Sequence, residues 1–207
     1  MDIKMVSVKT MRESDKYTIE NFTPSKELMR RAGQAIFDSA KWQGPVAVVC
    51  GKGNNAGDGY VAADLLRSAG IECTIVLLEK DRFSEDGRYY FDICMSHGIP
   101  VEMFSEDFDF ARYNSILDAI LGTGFSGDVK GITADAINAI NARGEEGAYV
   151  VSADINSGLN GDTGMGTTYI KSDLTVSIGE FKYGHFTGLA NVAMKEKVNC
   201  DIGIIII

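Results

Sequence analysis

Short, mostly apolar segments that end in glycine-rich or acidic turns recur along this chain and limit the folds open to it. Such segments cover residues 45–50, 71–78, 113–121 and 148–153. A continuous apolar run of this length is typical of a strand buried on both faces of a parallel sheet. Further short strands are expected at residues 101–104, 174–178 and 192–198.

Segments with helical spacing of apolar residues lie between these strands. Residues 25–40 carry Leu28, Met29, Ala32, Ile36 and Phe37 at helical intervals, and Ser25 is the expected N-cap. Further helices are predicted at 60–68, 87–97 and 132–141. The alternation predicts a single α/β domain over residues 1–207, with a mostly parallel central sheet covered by helices on both faces.

Composition narrows the class of partner. The chain has 207 residues, 45% of them hydrophobic and 24% charged, and a net charge of −9. Nucleic acids and anionic membranes bind surfaces on which Lys and Arg are clustered, so neither partner is expected for a chain with this negative charge. No apolar run approaches the ~18 residues that a membrane span needs, and the residues after Met1 do not resemble a secretory signal. The run of isoleucines at 204–207 is expected to be a strand end or a frayed tail.

The four cysteines favour a reducing compartment. Cys50, Cys73, Cys94 and Cys200 are widely spaced and form no C-x-x-C pair. We therefore expect free thiols in a cytoplasmic protein.

Three polar loops follow predicted strands and carry the candidate site. They begin at Gly51, at Gly122 and at Asp154. Parallel sheets bind ligands beyond the carboxyl ends of their strands, so these loops are expected to meet at one edge. Asp154 directly follows an apolar strand and is the candidate acid/base group, although a turn-capping role is the alternative.

Asn55, Asp118 and Ser157 add an amide oxygen, a carboxylate and a hydroxyl. Zinc prefers nitrogen and sulfur, and calcium usually collects more carboxylates. A weakly charged, oxygen-only set suits a monovalent cation better. The alternative for Asp118 is a carboxylate satisfied by loop N–H groups.

The first loop also fits a dinucleotide fingerprint. Gly51, Gly53 and Ala56 follow a strand and precede a helix, and Glu79 could bond a ribose hydroxyl. A nicotinamide-dependent dehydrogenase is therefore one alternative function. In the last predicted loop, Lys182 could meet a ligand phosphate, whereas His185 is expected to be a bystander.

Four ordered motifs and the N-terminal segment together resemble a known family. They read GKGNNAGDGYVAA, DAILGTGFSGD, DINSGLNGDTG and TVSIGEFKYGHFTG, after an opening MRESDKYTIENFTPSKELMRRAG. They resemble the NAD(P)H-hydrate epimerase family (the YjeF N-terminal domain) over roughly residues 11–204.

The resemblance implies a three-layer Rossmann-like fold, a homodimer and an epimerase acting on the R and S forms of hydrated NADH or NADPH. It also implies one potassium ion per subunit, held by Asn55, Asp118 and Ser157. The implied substrate-binding residues are Asn54, Asn55, Ala56, Gly57, Asp58, Gly122, Thr123, Gly124, Phe125, Ser126, Gly127, Asp128 and Asp154, the last also catalytic.

Two residues depart from the family pattern, and one domain that many relatives carry is not expected. Ala56 stands where the family usually has glycine, so the distance at which the ligand approaches this loop is expected to change slightly. Asn156 stands where the family usually has proline, so its turn is expected to be less rigid. The C-terminal dehydratase domain of many relatives is not expected here, and a separate dehydratase could act on the product. A non-catalytic ligand-binding or scaffold domain is the second alternative; Asp118 and Asp154, which such a domain would be expected to lose, are both present.

Overall fold

A seven-stranded sheet, parallel throughout, forms the centre of the protein. The computed structural model describes residues 3–80 and 82–207. The strands are β1 (Met5–Val6), β2 (Val46–Cys50), β3 (Cys73–Leu77), β4 (Val101–Met103), β5 (Ser115–Ala119), β6 (Tyr149–Ala153), β7 (Ser172–Ile178), β8 (Phe181–Lys182) and β9 (Met194–Cys200). The main sheet has the order β4-β3-β2-β5-β6-β7-β9, and β1 pairs with β8 in a separate two-stranded sheet.

Helices cover both faces of the main sheet. They are α1 (Val8–Asn21), α2 (Ser25–Ser39), α3 (Asn54–Ser68), α4 (Glu85–Ser96), α5 (Ile132–Glu145) and α6 (Ala190–Ala193). One apolar core joins the sheet to α2, α3 and α4 and includes Ile36, Leu66 and Cys94. A second core joins the opposite face to α5 through Ile137 and Ile140. The predicted three-layer α/β fold is therefore confirmed.

The strand order places a crevice at the carboxyl ends of β2 and β5. The chain runs outward from β2 to β3 and β4, and then returns to β5 on the other side of β2. Loops that follow adjacent strands leave in opposite directions at such a switch point and leave room for a ligand between them. Ala119, at the end of β5, is in register with Cys50, at the end of β2, so both loops start at the same level.

The largest departure from the predicted elements is the start of α3. The pattern predicts a loop up to Gly59, but the helix begins at Asn54 after an extended Gly53. Glycine is kept inside this helix because the packing is close. A Cβ on Gly57 would lie 2.4 Å from the Met29 sulfur, and one on Gly59 would lie 2.7 Å from the Ala119 Cβ.

Smaller predictions need correction at both ends of the chain. The N-cap of α2 is Pro24, so Ser25 is already helical. The isoleucine run at the end is neither a strand nor frayed, because it is tied to α1. The backbone N–H groups of Ile205 and Ile207 donate to Thr18 Oγ1 at 2.9 Å and to Ser14 Oγ at 3.1 Å.

The cysteines follow the prediction. All four are free thiols: Cys50, Cys73 and Cys94 are buried, and Cys200 is half-buried. Within the described part of the chain, no helix is both long enough and apolar enough to cross a membrane.

Candidate active site

A pocket of about 570 Å³ lies at the carboxyl ends of the central strands. Its walls come from the loops after β2, β5 and β6, from α1 and α2, and from the end of the chain. Of the residues that the sequence singles out, it is lined by Asn54, Asn55, Asp58, Gly122, Thr123, Gly124, Phe125, Asp154 and Lys182. The three distant loops therefore meet at one edge of the sheet.

Five predicted substrate-binding residues do not line this pocket. Ala56 and Gly57 are buried, and the Ala56 methyl packs in the apolar core. The sequence suggested that this methyl group changes how closely a ligand approaches. The structure corrects that expectation, because the methyl points into the core and not into the pocket. Ser126, Gly127 and Asp128 are exposed beyond the pocket, where Asp128 accepts a hydrogen bond from Thr167 at 3.2 Å.

Asp118 and Ser157 lie beneath the pocket as a buried pair. The Asp118 carboxylate accepts hydrogen bonds from the Ser157 hydroxyl, from the Ser157 N–H at 2.9 Å, from the Ser152 hydroxyl at 2.8 Å and from the Ile120 N–H at 3.3 Å. Burial raises the pKa of Asp118, and these hydrogen bonds oppose the rise. The pair joins the loop after β5 to the loop after β6, because Ser157 Oγ also accepts from the Leu121 N–H at 2.8 Å.

Asn55 is buried, but its side chain has no protein partner. It is 8% exposed, and its carboxamide nitrogen and oxygen make no hydrogen bond. A Cβ on Gly122 would lie 3.4 Å from the Asn55 Cβ, so the loop after β5 packs directly against this side chain. An unpaired buried amide is costly unless a ligand completes it. Asn55 is therefore built to contact something that enters the pocket.

The fit to a metal ion follows from these donors. Asn55, Asp118 and Ser157 offer only oxygen atoms with a single formal charge, and the Asn55 oxygen lacks a partner. Among the described residues, no cluster of three His, Cys, Asp or Glu side chains could hold a metal. Such oxygen ligands with little charge are compatible with a monovalent cation such as potassium and do not suit zinc, which prefers nitrogen and sulfur.

Asp154 lies at the inner end of the pocket in a strained backbone conformation. Its φ is 61°, and no other non-glycine residue in the described part of the chain has a positive φ. Its N–H donates to the Val176 carbonyl at 2.8 Å, and its carbonyl accepts from His185 Nε2 at 2.7 Å. Strain of this kind persists only where surrounding contacts enforce it, and it concentrates at functional sites.

Lys182 pairs with Asp154 and decides its charge. The Lys182 ammonium is 1% exposed; it donates to Asp154 Oδ1 and, at 2.8 Å, to the Ile178 carbonyl. Burial alone would raise the pKa of Asp154, but the neighbouring ammonium outweighs burial and holds that pKa below its ordinary value. Asp154 is therefore ionised at neutral pH.

His185 is structural. Its Nδ1 accepts the Lys182 N–H at 3.1 Å, so its Nε2 carries the hydrogen that is donated to Asp154. Burial and the Lys182 charge lower the pKa of His185, which keeps the ring neutral. The ring fixes both members of the ion pair without facing the pocket.

Two further carboxyl groups share this end of the pocket. Burial and the Asp154 charge raise the pKa of Asp15 and, more strongly, that of Asp58. We call Asp15, Asp58, Asp154 and Lys182 the pocket floor. Its carboxyl groups have opposite tendencies, since Asp58 favours the protonated form and Asp154 the ionised form, which is the arrangement expected of an acid and a base.

The exposed part of the pocket carries two basic side chains. Arg12 on α1 and Lys52 before α3 are exposed and line it, together with residues 122–124. We call Arg12, Lys52 and residues 122–124 the pocket rim. Arg12 and Asp15 were missed in the sequence because only the packing of α1 across the sheet edge brings them here. The polar residues at i and i+3 in α1 are a weak signal on their own.

Two sequence expectations are changed by the contacts. Glu79 pairs with Lys52 at 3.3 Å and Arg82 at 3.2 Å and does not line the pocket, which removes one of the features that suggested a dehydrogenase, the expected contact with a ribose hydroxyl. Asn156 does not loosen its turn. Its fully buried side chain donates to the Ile170 and Ala193 carbonyls and to Ser172, and it accepts from Thr175.

Comparisons with known proteins identify the family of this chain. Residues 25–184 match the family model described as the YjeF-related protein N-terminus. The NAD(P)H-hydrate epimerase of Limosilactobacillus reuteri is 39% identical over 196 residues, which cover 89% of this chain and 88% of that protein. The bifunctional NAD(P)H-hydrate repair enzyme Nnr of Coxiella burnetii is 34% identical over 200 residues, which cover 94% of this chain but only 40% of that protein.

The fold has a close counterpart among solved structures. The crystal structure of the yeast protein ynu0 (YNL200c) superposes with a TM-score of 0.80 at 21% identity, covering 94% of this chain and 87% of that one. At this identity the likeness supports the fold. The match to the family model over residues 25–184, which is most of the chain, and the 39% identity to the L. reuteri protein establish that the chain belongs to the YjeF-related N-terminal family.

Proposed function

We propose that this protein is an NAD(P)H-hydrate epimerase, which interconverts the R and S epimers of hydrated NADH and NADPH. The L. reuteri protein of that name matches this chain over nearly the full length of both. Hydrated NADH carries a hydroxyl on the ring carbon beside the ring nitrogen. Epimerisation inverts the configuration of that carbon.

The observation that carries the proposal is the ionised Asp154 at the inner end of the pocket. Its pairing with the buried Lys182 provides a carboxylate base with a fixed position. Inversion at the hydrated carbon needs an acid/base group next to the hydroxyl, and general acid–base help of this kind is worth about 10²–10⁴-fold.

The reaction balances without any redox partner. The ring nitrogen lone pair forms a C=N bond as the C–O bond breaks, and the departing hydroxyl takes a proton and leaves as water. A water molecule then adds to the opposite face of the planar carbon and gives up a proton. Asp58, with its raised pKa, is suited to supply the first proton, and the ionised Asp154 to accept the second.

The charge of the pocket floor favours the intermediate. Expulsion of the hydroxyl leaves a positive charge on the ring. Asp58 becomes a carboxylate once it has given up its proton, and this new negative charge lies in the same pocket as the cation that it stabilises.

A potassium ion is part of the proposal. Asn55, Asp118 and Ser157 would hold it, and support comes from the unpartnered Asn55 oxygen next to the loop that contains Gly122. When bound, the ion supplies positive charge beside the buried Asp118 and fixes the loops around it. The residues of the pocket floor perform the proton transfers.

The remaining parts of the proposal concern partners and compartment. We infer a homodimer, supported by exposed apolar side chains on α1 and at the end of the chain, among them Tyr17, Phe22 and Ile207. The four free thiols support a cytoplasmic location. We also propose that a dehydratase consumes the product, and the bifunctional name of the Coxiella relative is consistent with a second activity in the same repair.

The decisive experiment follows a single purified epimer of hydrated NADH by chromatography, in potassium and in choline buffers. Wild-type protein is expected to equilibrate the two epimers far faster than the uncatalysed reaction. Asp154→Asn is expected to lose about 10²–10⁴-fold in rate. Asp92→Asn is the matched control, because Asp92 is an exposed helix residue paired with Arg88.

The outcomes separate the proposal from its alternatives. Hydride transfer with intact NAD and no epimerisation would support a dehydrogenase. Binding without any turnover would support a scaffold. Wild-type rates in the Asp154→Asn protein would remove the role of Asp154.

A further inference from the structure

The acidic pocket floor raises the question of how the site binds a polyanion. This inference rests on the proposed function, since the substrate carries a pyrophosphate and, in the NADPH form, an additional 2′-phosphate. The single ammonium of the floor, that of Lys182, is already paired with Asp154, so the floor offers no free cation to a phosphate and we expect the phosphates to bind elsewhere in the pocket. The protein's net charge of −9 gives them no general attraction.

Two of the three basic side chains that line the pocket are already occupied. Lys182 is buried and donates to Asp154 and to the Ile178 carbonyl. Lys52 pairs with Glu79 at 3.3 Å. Each of the two therefore already has a carboxylate partner, although Glu79 also pairs with Arg82.

Arg12 differs from both. Within residues 3–80 and 82–207, no carboxylate lies within ion-pair distance of its guanidinium. Its contact with the rim is a long hydrogen bond of 3.4 Å from Nη2 to the Thr123 carbonyl. Most of its five N–H donors are therefore available, in the planar geometry that matches a phosphate.

The loop beside Arg12 adds backbone donors. In the described structure, the N–H groups of Gly122, Thr123 and Gly124 have no protein acceptor. A Cβ on Gly124 would lie 3.7 Å from Arg12 Nη2, so the guanidinium and the loop backbone face the same space. Backbone N–H groups without a protein acceptor can bind an anion, and those of residues 122–124 lie beside the Arg12 guanidinium.

Helix α1 holds Arg12 in place. Ser7 caps the helix through the Thr10 N–H at 3.0 Å, and the Val8 N–H donates to Asp162 at 2.7 Å. At the other end, the backbone of Ile205 donates to Thr18. The position of the Arg12 backbone is thus fixed by contacts outside the pocket.

We propose that Arg12 is the residue that binds the phosphate groups of the substrate, together with the backbone of residues 122–124. The guanidinium holds a phosphate group of the dinucleotide at the rim, and the hydrated ring reaches the floor. The same chemistry serves the pyrophosphate or the 2′-phosphate, and the experiment distinguishes these two sources.

The test measures binding by calorimetry with two probes that lack the reacting ring. ADP-ribose carries the pyrophosphate, and 2′-phospho-ADP-ribose carries the additional phosphate. Arg12→Gln is expected to weaken binding of ADP-ribose roughly tenfold, with Arg12→Lys in between, because a charge-assisted bidentate contact is lost. Lys9→Gln removes the same charge from an exposed position on the same helix and is expected to bind as wild type.

A kinetic measurement complements binding. Arg12→Gln is expected to raise the KM for hydrated NADH with kcat changed by less than about twofold, because the contact is the same in the ground and transition states. A loss confined to the 2′-phospho probe would support phosphate binding by Arg12 and assign it to the 2′-phosphate.

Equal affinity of wild type and Arg12→Gln for both probes would overturn the proposal, as would failure of the wild type to bind either probe. The proposed function fails separately, when wild-type protein does not equilibrate the epimers.

Discussion

The floor and the rim of the pocket lie close together but differ in charge, burial and rigidity. At the floor, Lys182 is 1% exposed and bonded on two sides, and the Asp154 side chain is 15% exposed. At the rim, Arg12 and Lys52 are exposed, and the Arg12 guanidinium makes one long hydrogen bond. One region is held by buried contacts, and the other is left free to meet a ligand.

The difference indicates how the two regions divide the work. Electrostatic interactions in the buried floor are little screened, so they are suited to setting protonation states and stabilising charge in the transition state. Exposed charges at the rim are screened by salt and contribute modestly to affinity and to the rate of encounter. Changes at the floor should therefore alter kcat, its pH dependence and stability, whereas changes at the rim should alter KM.

Lys182→Met tests the floor with the largest expected effect. Removal of one member of a buried ion pair leaves Asp154 uncompensated and should lower the free energy of unfolding by about 3 kcal/mol. In the wild type the pKa of Asp154 is lowered, so activity that needs the carboxylate persists to pH values below the ordinary range of Asp. In the variant that pKa should rise, and the acid limb of the kcat/KM profile should move towards neutral pH.

The measurements are urea denaturation and a pH profile of epimerisation. Lys195→Met is the matched control, because Lys195 pairs with Asp173 on the surface and is 77% exposed. Lys182→Arg should restore part of the profile. An unchanged acid limb in Lys182→Met would show that Lys182 does not set the charge of Asp154.

Asp58→Asn tests the second carboxyl group of the floor, with a smaller expected effect. The rate should fall about 100-fold, the lower end of what general acid–base help supplies, because the group suited to protonate the leaving hydroxyl is lost. The protein should become more stable at neutral pH, by about 1 kcal/mol or roughly 2–4 °C in Tm.

The sign of the stability change follows from linkage. The folded pKa of Asp58 is raised, so the folded state binds more protons than the unfolded chain, and stability falls as pH rises from the unfolded pKa to the folded pKa. Asparagine removes this loss. Thermal melts across this pH range check it, and a destabilised variant at neutral pH would contradict the assigned environment.

The sequence predicted that the loops after β2, β5 and β6 meet, because their meeting depends only on the topology of the sheet. Asp118 lies near the carboxyl end of β5, and Asn55, Asp154 and Ser157 follow the carboxyl ends of β2 and β6, which lie at the same edge of the parallel sheet. The division within this group was not predictable. Asn55 and Asp154 line the pocket, whereas Asp118 and Ser157 are buried beneath it as a hydrogen-bonded pair.

What the sequence could not predict depends on tertiary packing. The start of α3 was missed because the glycines at 57 and 59 are typical of a loop, and only the approach of Met29 and Ala119 explains them. The isoleucine tail was misread because its anchors on α1, Ser14 and Thr18, lie more than 180 residues away.

Asn55→Ala tests the proposed cation site between the floor and the rim. Wild-type protein should melt at a higher temperature in potassium chloride than in choline chloride. Bound potassium should raise the free energy of unfolding by about 1.4 kcal/mol when its concentration is tenfold its Kd. The variant should lose most of this difference, because the unpartnered carboxamide oxygen is gone. Asn54→Ala, the exposed neighbour, should retain it, and an equal loss in both variants would argue against a specific site.

Lys52→Gln gives the smallest expected effect and tests whether the rim acts through Arg12. The Lys52 side chain is 58% exposed and already paired with Glu79. Exposed pairs of this kind are worth little, so removal of the charge should change the KM for hydrated NADH by no more than about twofold. Initial rates at two salt concentrations check this, because a weak screened contribution should disappear at high ionic strength. A rise in KM larger than that of Arg12→Gln would transfer phosphate binding from α1 to the loop before α3, and the division between an occupied and an available cation at the rim would be wrong.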